Sequence, residues 1–450
     1  MSFIDLPNEL LCAIAKDLHR EKSISALART NRFFFSALNG YLYAHNVRHH
    51  NASALYWAIG TGNTGTAANS ISNGANINAQ NSRALTLALS SYQFNMTLFL
   101  LESGADPNCT LSNGETPLWM AICIRLKKFA EVLLNNRADP NIRNHLGETA
   151  LFQAVRFSYL PTVRLLIGSP KGVDVNAIDN SGLTPLHAVI LAERKPLGFS
   201  YARRRIFSLL LERGANAEHA DNDGTTPLVR AIRNGNEDAV RLLLQHQVDL
   251  QRTDQSGKTA LHAAVEQGYT SLVRLISGYG ANIEAKDVQG RSPLHLAVSL
   301  HQHDIFAFLL CKGADLETKD AELRTPLHTA AGSTYLSMIL LGRDVNACVA
   351  DIQGITPLHL AAKAGNELLV RQLLDLRADA GYMDKLGITP LHMAAAAQSE
   401  PIIEVLLRHG AYWNPKDIGG LTPSKYAPLE ARESIKKFIR KTTLRLKGSL

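Results

Sequence analysis

Long apolar runs are missing from this 450-residue chain. No stretch reaches the roughly 18 apolar residues in a row that a membrane helix needs, so no span is expected. Cysteine is scarce: Cys12, Cys109, Cys123, Cys311 and Cys348 lie far apart, are odd in number and form no C-x-x-C pair. That excludes a disulfide framework or zinc site written in local spacing. Reduced thiols of the cytosol or nucleus are the simpler expectation. Aromatics are only 6 %, low for a β-sandwich or an OB-type barrel. Residues 1–18 lack the basic opening and solid apolar run of a secretory leader, with Asp5 and Glu9 ahead of the apolar positions. Charge of one sign is also missing over most of the chain. Of the net +7, +6 sits in residues 434–450 (Lys436, Lys437, Arg440, Lys441, Arg445, Lys447). A general nucleic-acid-binding surface is therefore not implied.

What is present is a folded composition, 46 % apolar and 19 % charged, and a repeat. Thr-Pro-Leu-His, or a near variant, begins at Thr116, Thr149, Thr184, Thr226, Thr259, Ser292, Thr325, Thr356, Thr389 and Thr422. Weaker copies begin at Ser53 and Arg83. Seven of the eleven spacings are 33 residues, and eight of the 17 prolines occupy the same slot, so one unit recurs along the chain. Asp-x-x-Gly precedes the signature, as at Asp254–Gly257 and Asp287–Gly290, and reads as a tight loop tip. Thr opens a helix as its cap and Pro sits harmlessly in the first turn. A second helix follows, and Gly ends it at Gly104, Gly214, Gly280 and Gly313.

This pattern resembles the ankyrin-repeat family over about residues 51–440. The resemblance implies an all-α solenoid of helix–turn–helix units with hairpin-like loops, about eleven full units and a truncated twelfth from Gly420 as a polar cap. Three irregularities stand out. The Thr184 unit is nine residues over period, which predicts a long inter-helix loop from Lys195 to Ser200. The Thr325 unit is two short, and its tip, Asp320 to Leu323, lacks Gly. A kink is expected there.

Residues 1–45 fall outside the repeat. Asp5-Leu6-Pro7 starts a helix bearing Leu10, Leu11, Ile14 and Leu18, and Ser23 starts another with Ile24 and Leu27. Three short helices make a marginal core that would gain from docking. Leu6-Pro7-x-Glu9-Leu10-Leu11 and Leu27-Ala28-Arg29-Thr30-Asn31-Arg32 resemble the F-box family. That resemblance implies docking of Leu6, Pro7, Leu10, Ile14 and Leu27 on the Skp adaptor of a cullin-type ubiquitin ligase. The other reading makes these helices only a cap for the solenoid.

Two motifs mimic nucleotide sites. Gly60-x-Gly62-x-x-Gly65 matches a dinucleotide fingerprint, but Gly62 shares the phase of Gly235, Gly268 and Gly365 and reads as an inter-helix turn. Gly257-Lys258-Thr259 resembles the end of a phosphate loop, but Arg252 stands where the earlier glycine is required. The signature histidines (His187, His262, His295, His328, His359, His392) recur one per unit, so they should bridge turns rather than share a metal. No nucleophile–base–orienter set appears, so neither an enzyme nor a cofactor or metal is expected.

Two functions remain. One is a substrate receptor of the ubiquitin ligase, with substrate on the concave face of the repeats. The other is a plain ankyrin scaffold or inhibitor. A tether through the basic tail, 441–450, to an anionic membrane or nucleic acid is weaker. The partner site is read from the slot between tip Gly and signature Thr, expected to project into the groove and to have no role in the fold. It stacks Lys258, Arg291 and Arg324, with Arg233 nearby and Ile355 and Ile388 beyond. This is either a solvated basic stripe or a seat for an acidic or phosphorylated segment.

Overall fold

A computed structural model describes residues 43–44, 46–48, 53–191, 200–343 and 345–447. The F-box-like positions Leu6, Pro7, Leu10, Ile14 and Leu27, and most of the expected loop at 195–200, lie outside the described residues. Contacts divide the chain between Asn222 and Asp223 into two units.

Among its described residues the first unit holds five helix pairs: α1 Ser53–Thr61 and α2 Thr64–Ser72, α3 Ala79–Ser90 and α4 Phe94–Glu102, α5 Pro117–Cys123 and α6 Lys127–Asn135, α7 Ala150–Arg156 and α8 Leu160–Ile167, α9 Pro185–Leu191 and α10 Tyr201–Glu212. Asn46 is buried just ahead of α1. Its amide oxygen accepts from the Ala54 N–H at 2.9 Å and so caps that helix.

The second unit holds six more pairs: α11 Pro227–Arg233 and α12 Glu237–Gln245, α13 Ala260–Glu266 and α14 Thr270–Gly278, α15 Pro293–Ser299 and α16 His303–Cys311, α17 Pro326–Ala330 and α18 Thr334–Leu341, α19 Pro357–Lys363 and α20 Glu367–Asp375, α21 Pro390–Ala396 and α22 Glu400–Arg408. It closes on the four-residue α23 Pro423–Tyr426 and the 16-residue α24 Arg432–Lys447. Every described helix is α, and within each unit first helices pack on first helices and second on second.

The local chemistry explains each pair. In α20, Leu369, Val370, Leu373 and Leu374 are buried while Arg371 pairs with Glu367 on the outer face at 2.6 Å. In α15 all residues from Pro293 to Val298 are buried, so first helices lie sandwiched between neighbours. One repeat alone could not bury both faces.

The irregular repeats show where length changes go. In the Thr184 repeat the second helix is 12 residues long, against nine in α12, so part of the excess lengthens that helix. In the Thr325 repeat the two missing residues come out of α17, which has five residues where α15 has seven. Leu323 stands in the tip-glycine slot and takes φ 62° itself. α3 starts at Ala79, ahead of the weak signature at Arg83, and Gln80 and Ser82 within it have positive φ. At the C-terminal end, α24 runs through the expected boundary at residue 440 because Ile435, Ile439 and Thr442 bury one side of it. It packs on α22 and α23.

Candidate functional site

In the second unit each loop tip is tied by its aspartate. The Asp287 Oδ1 accepts from the N–H of Gln289 and of Arg291, both at 2.9 Å. The Gly290 N–H closes the turn on the Asp287 carbonyl at 2.8 Å. Successive tips are then joined by backbone bonds. Val288 N–H donates to the Ser256 carbonyl at 3.0 Å, Ala321 to Gln289 at 2.9 Å, Ile352 to Glu322 at 2.9 Å and Lys385 to Gln353 at 2.9 Å. Gly290 shows why the tip needs glycine: φ is 72°, and a Cβ there would come within 2.5 Å of the Ala321 nitrogen.

The signature histidines sit directly behind these tips and are buried. His262 and His295 close capping boxes with Thr259 and Ser292, taking the place that Glu or Gln usually holds. Nδ1 of His262 accepts from the Thr259 N–H at 3.3 Å, which places the ring proton on Nε2. Nε2 then donates to the Arg291 carbonyl of the next repeat at 3.1 Å. His295, His328, His359 and His392 likewise reach the carbonyls of Arg324, Ile355, Ile388 and Leu421 at 3.0–3.2 Å. Burial pushes the pKa of His262, His295, His328, His359 and His392 down. The bridging role expected of these histidines is therefore what the geometry shows.

The slot residues carry more fold duty than their spacing implied. Arg291 Nη2 lies 2.8 Å from Asp287 Oδ2, a carboxylate almost wholly buried. Burial alone would raise the Asp287 carboxyl, but hydrogen bonds from Arg291 and the backbone outweigh it and hold the pKa below the usual range. Arg324 pairs with Asp320 and with Glu322, both at 3.0 Å. Lys258 Nζ lies 2.6 Å from Glu266 Oε1. Arg233 reaches forward to Asp254 of the next tip at 3.2 Å and to the Thr225 hydroxyl at 3.2 Å. The expectation of a slot free of structural work is thus corrected: Arg291 and Arg324, with Arg233, neutralise and brace carboxylates that tie the tips, while Lys258 pairs with Glu266 on α13. Four cations face five carboxylates, so the row is close to neutral rather than basic.

Arg291 and Arg324 do converge. With His295, Asp320, Thr329 and Leu360 they line an open groove of about 270 Å³. Lys258, Arg233, Ile355 and Ile388 do not line it, although Ile355 and Ile388 are half-buried in the same slot of the next two repeats. Thr329 and Leu360 were missed from the sequence. The signal was available, since both directly follow a signature histidine and so share one phase of the repeat.

Gly62, with φ 74°, lies in the turn between α1 and α2, and Gly257 in a loop tip. Both lie where the phase of the repeat puts them. No His, Cys, Asp and Glu side chains gather into a metal-sized group among the described residues. Burial pushes the Cys123 thiol up to about 11, so it is not held as a thiolate at neutral pH. No described helix is long and apolar enough to cross a membrane.

The sequence matches the family model described as ankyrin repeats (3 copies) over residues 55–144, 85–179, 118–198, 171–254, 199–287, 245–320, 275–347 and 327–417. Among solved structures it is similar to the ankyrin repeat domain of Bcl-3, described as a unique member of the IkappaB protein family. Identity is 29 % over 49 % of this chain and 100 % of that one, with a TM-score of 0.41. It is also similar to the human ASB11 ankyrin repeat domain, at 25 % identity over 48 % of this chain and 98 % of that one, with a TM-score of 0.43.

Proposed function

This chain belongs to the ankyrin-repeat family, and from that premise we propose that it is a protein-interaction adaptor whose partner lies on the tips and first helices of the second unit. The observation that carries the reading is the groove of Arg291, Arg324, Thr329 and Leu360. It offers an apolar floor between ion pairs that are already satisfied, on a framework braced by buried histidines. An acidic or phosphorylated partner along this row loses its support, because the cations are matched by carboxylates. A partner with an apolar side chain for Leu360 and mixed polar groups around it fits better. Thr329→Arg with Leu360→Arg fills the groove and leaves every tip aspartate in the sequence. Capture of a bound partner should fall about tenfold or more, as for loss of a central interface contact, while the melting temperature moves by only about 2 °C.

The adaptor is further read as a substrate receptor of a cullin-type ubiquitin ligase, in the cytosol or nucleus. What supports this part is the sequence motif Leu6-Pro7-x-Glu9-Leu10-Leu11 with Ile14 and Leu27. The chemistry of ubiquitin transfer would belong to the partners, and this chain would supply proximity. Ile14→Glu should abolish co-purification with the Skp adaptor, because a charge on the docking face would be desolvated without a partner. If the wild-type chain never retains the adaptor where a known F-box protein does, the chain is a scaffold or inhibitor instead.

A further inference from the structure

The end of the second unit contains a cavity of about 580 Å³ that the groove reading does not use. One side is the final helix, where Arg432, Lys436 and Arg440 line the cavity at four-residue intervals and Leu444 continues the row. Trp413, from the loop after α22, and Lys425, on α23, also line it. Glu433 is the one carboxylate among its described lining residues, and it lies 3.7 Å from Lys436. Arg432 is oriented by a bond from its Nε to the Ala427 carbonyl at 3.1 Å. In contrast to the slot row, where Arg233, Lys258, Arg291 and Arg324 each meet a carboxylate, this cavity has four cations to one acid. Trp413 and Leu444 leave 46 % and 64 % of their surface exposed beside them.

The spacing selects the ligand. Residues four apart on a helix lie on one face, about 6 Å apart along the axis. An extended peptide presents alternate side chains on one face about 6.6 Å apart. Three carboxylates at alternate positions of such a segment therefore match Arg432, Lys436 and Arg440 in step. The volume falls in the range that holds several side chains at once. A single nucleic-acid strand needs a basic groove that follows its backbone over several nucleotides. Here the next lining residue along the row is the apolar Leu444.

We propose that this C-terminal cavity binds an acidic, extended segment of a partner protein, with alternate carboxylates on Arg432, Lys436 and Arg440 and an apolar side chain against Trp413 and Leu444. The proposal rests on the protein-binding reading of the family, but not on the groove at Arg291 and Arg324.

The probe is a fluorescein-labelled peptide that begins with phenylalanine and then alternates glutamate and serine, titrated onto the full chain by anisotropy. A counterpart with glutamine for glutamate serves as the neutral control. The glutamate peptide should bind, and its affinity should fall as salt rises because these charges are exposed. Affinity should drop about tenfold or more for the glutamine peptide and for Lys436→Glu with Arg440→Glu. Lys437→Glu with Lys441→Glu makes the same change in net charge on residues of the same helix that do not line the cavity, and should leave binding within about twofold. Trp413→Ala should weaken it as well. Should the charge-reversed pair lose its helical signal, Lys436→Gln with Arg440→Gln replaces it. No peptide binding, equal loss in both charge-reversed pairs, or tighter binding of a single-stranded oligonucleotide or phosphatidylserine vesicles would each overturn the proposal. None of these outcomes touches the groove, which is read separately through Thr329→Arg with Leu360→Arg.

Discussion

Protonating His262 would turn its Nδ1 into a donor facing the Thr259 N–H that it now accepts, so acid breaks the cap from within. Five such histidines have folded-state pKa values lowered by burial. The unfolded chain therefore takes up protons first, near the ordinary histidine value of about 6.5. Their contribution is complete above that pH and is lost as pH falls below it. The melting temperature should drop between about pH 7 and pH 5, and a flat profile there would contradict the buried neutral rings. The aspartates held below their ordinary range, Asp254 and Asp287, lose their contribution only at much lower pH. Arginine and lysine in the slot should then behave differently. Arg291→Glu sets a second carboxylate against buried Asp287 and should cost about 3 kcal/mol. Lys258→Glu removes a partly exposed pair and should cost about 1 kcal/mol or less. Urea melts of the two variants separate these effects. The histidine role was legible from its recurrence in phase. The role of Arg291 was not, because its carboxylate is four residues back around a turn, and the slot's position in the repeat does not show what its side chain pairs with.

At the scale of an element, Leu294 is fully buried on α15, a helix packed on α13 and α17. Leu294→Asp puts a charge into that shared core and should cost several kcal/mol. Because repeats touch only neighbours, limited proteolysis should cut first around residue 294 and leave fragments of the second unit on either side. Simultaneous loss of the whole unit in one step would contradict the nearest-neighbour picture. The short repeat offers the opposite change. A non-glycine residue in the left-handed region costs about 1–2 kcal/mol, and glycine returns about 0.5–1 kcal/mol of that as unfolded-chain entropy. Leu323→Gly should therefore raise stability by about 0.5–1 kcal/mol, read as a small increase in melting temperature. The period of 33 made the helix pairs and their order legible. Where an insertion or deletion is absorbed was not, since helix length is set by packing: α24 runs to Lys447 because its Ile435, Ile439 and Thr442 find a buried side.

For the molecule as a whole, the proposed binding lies at two places in the second unit, and the N-terminal motif is proposed for a ligase adaptor. The groove was only half legible, since the slot was visible but the residues after each histidine were passed over. The C-terminal cavity was less so, because Trp413 and Arg440 are 27 positions apart and only the fold joins them. The central claim is that a partner protein sits on the tips and first helices. It is tested most directly by affinity capture with quantitative mass spectrometry on three forms of the full chain: the wild type, Thr329→Arg with Leu360→Arg, and Gln372→Arg on the exposed side of α20. A set of proteins held by the wild type and by Gln372→Arg, and lost from the groove variant, is the predicted result. An identical set on all three forms would contradict it.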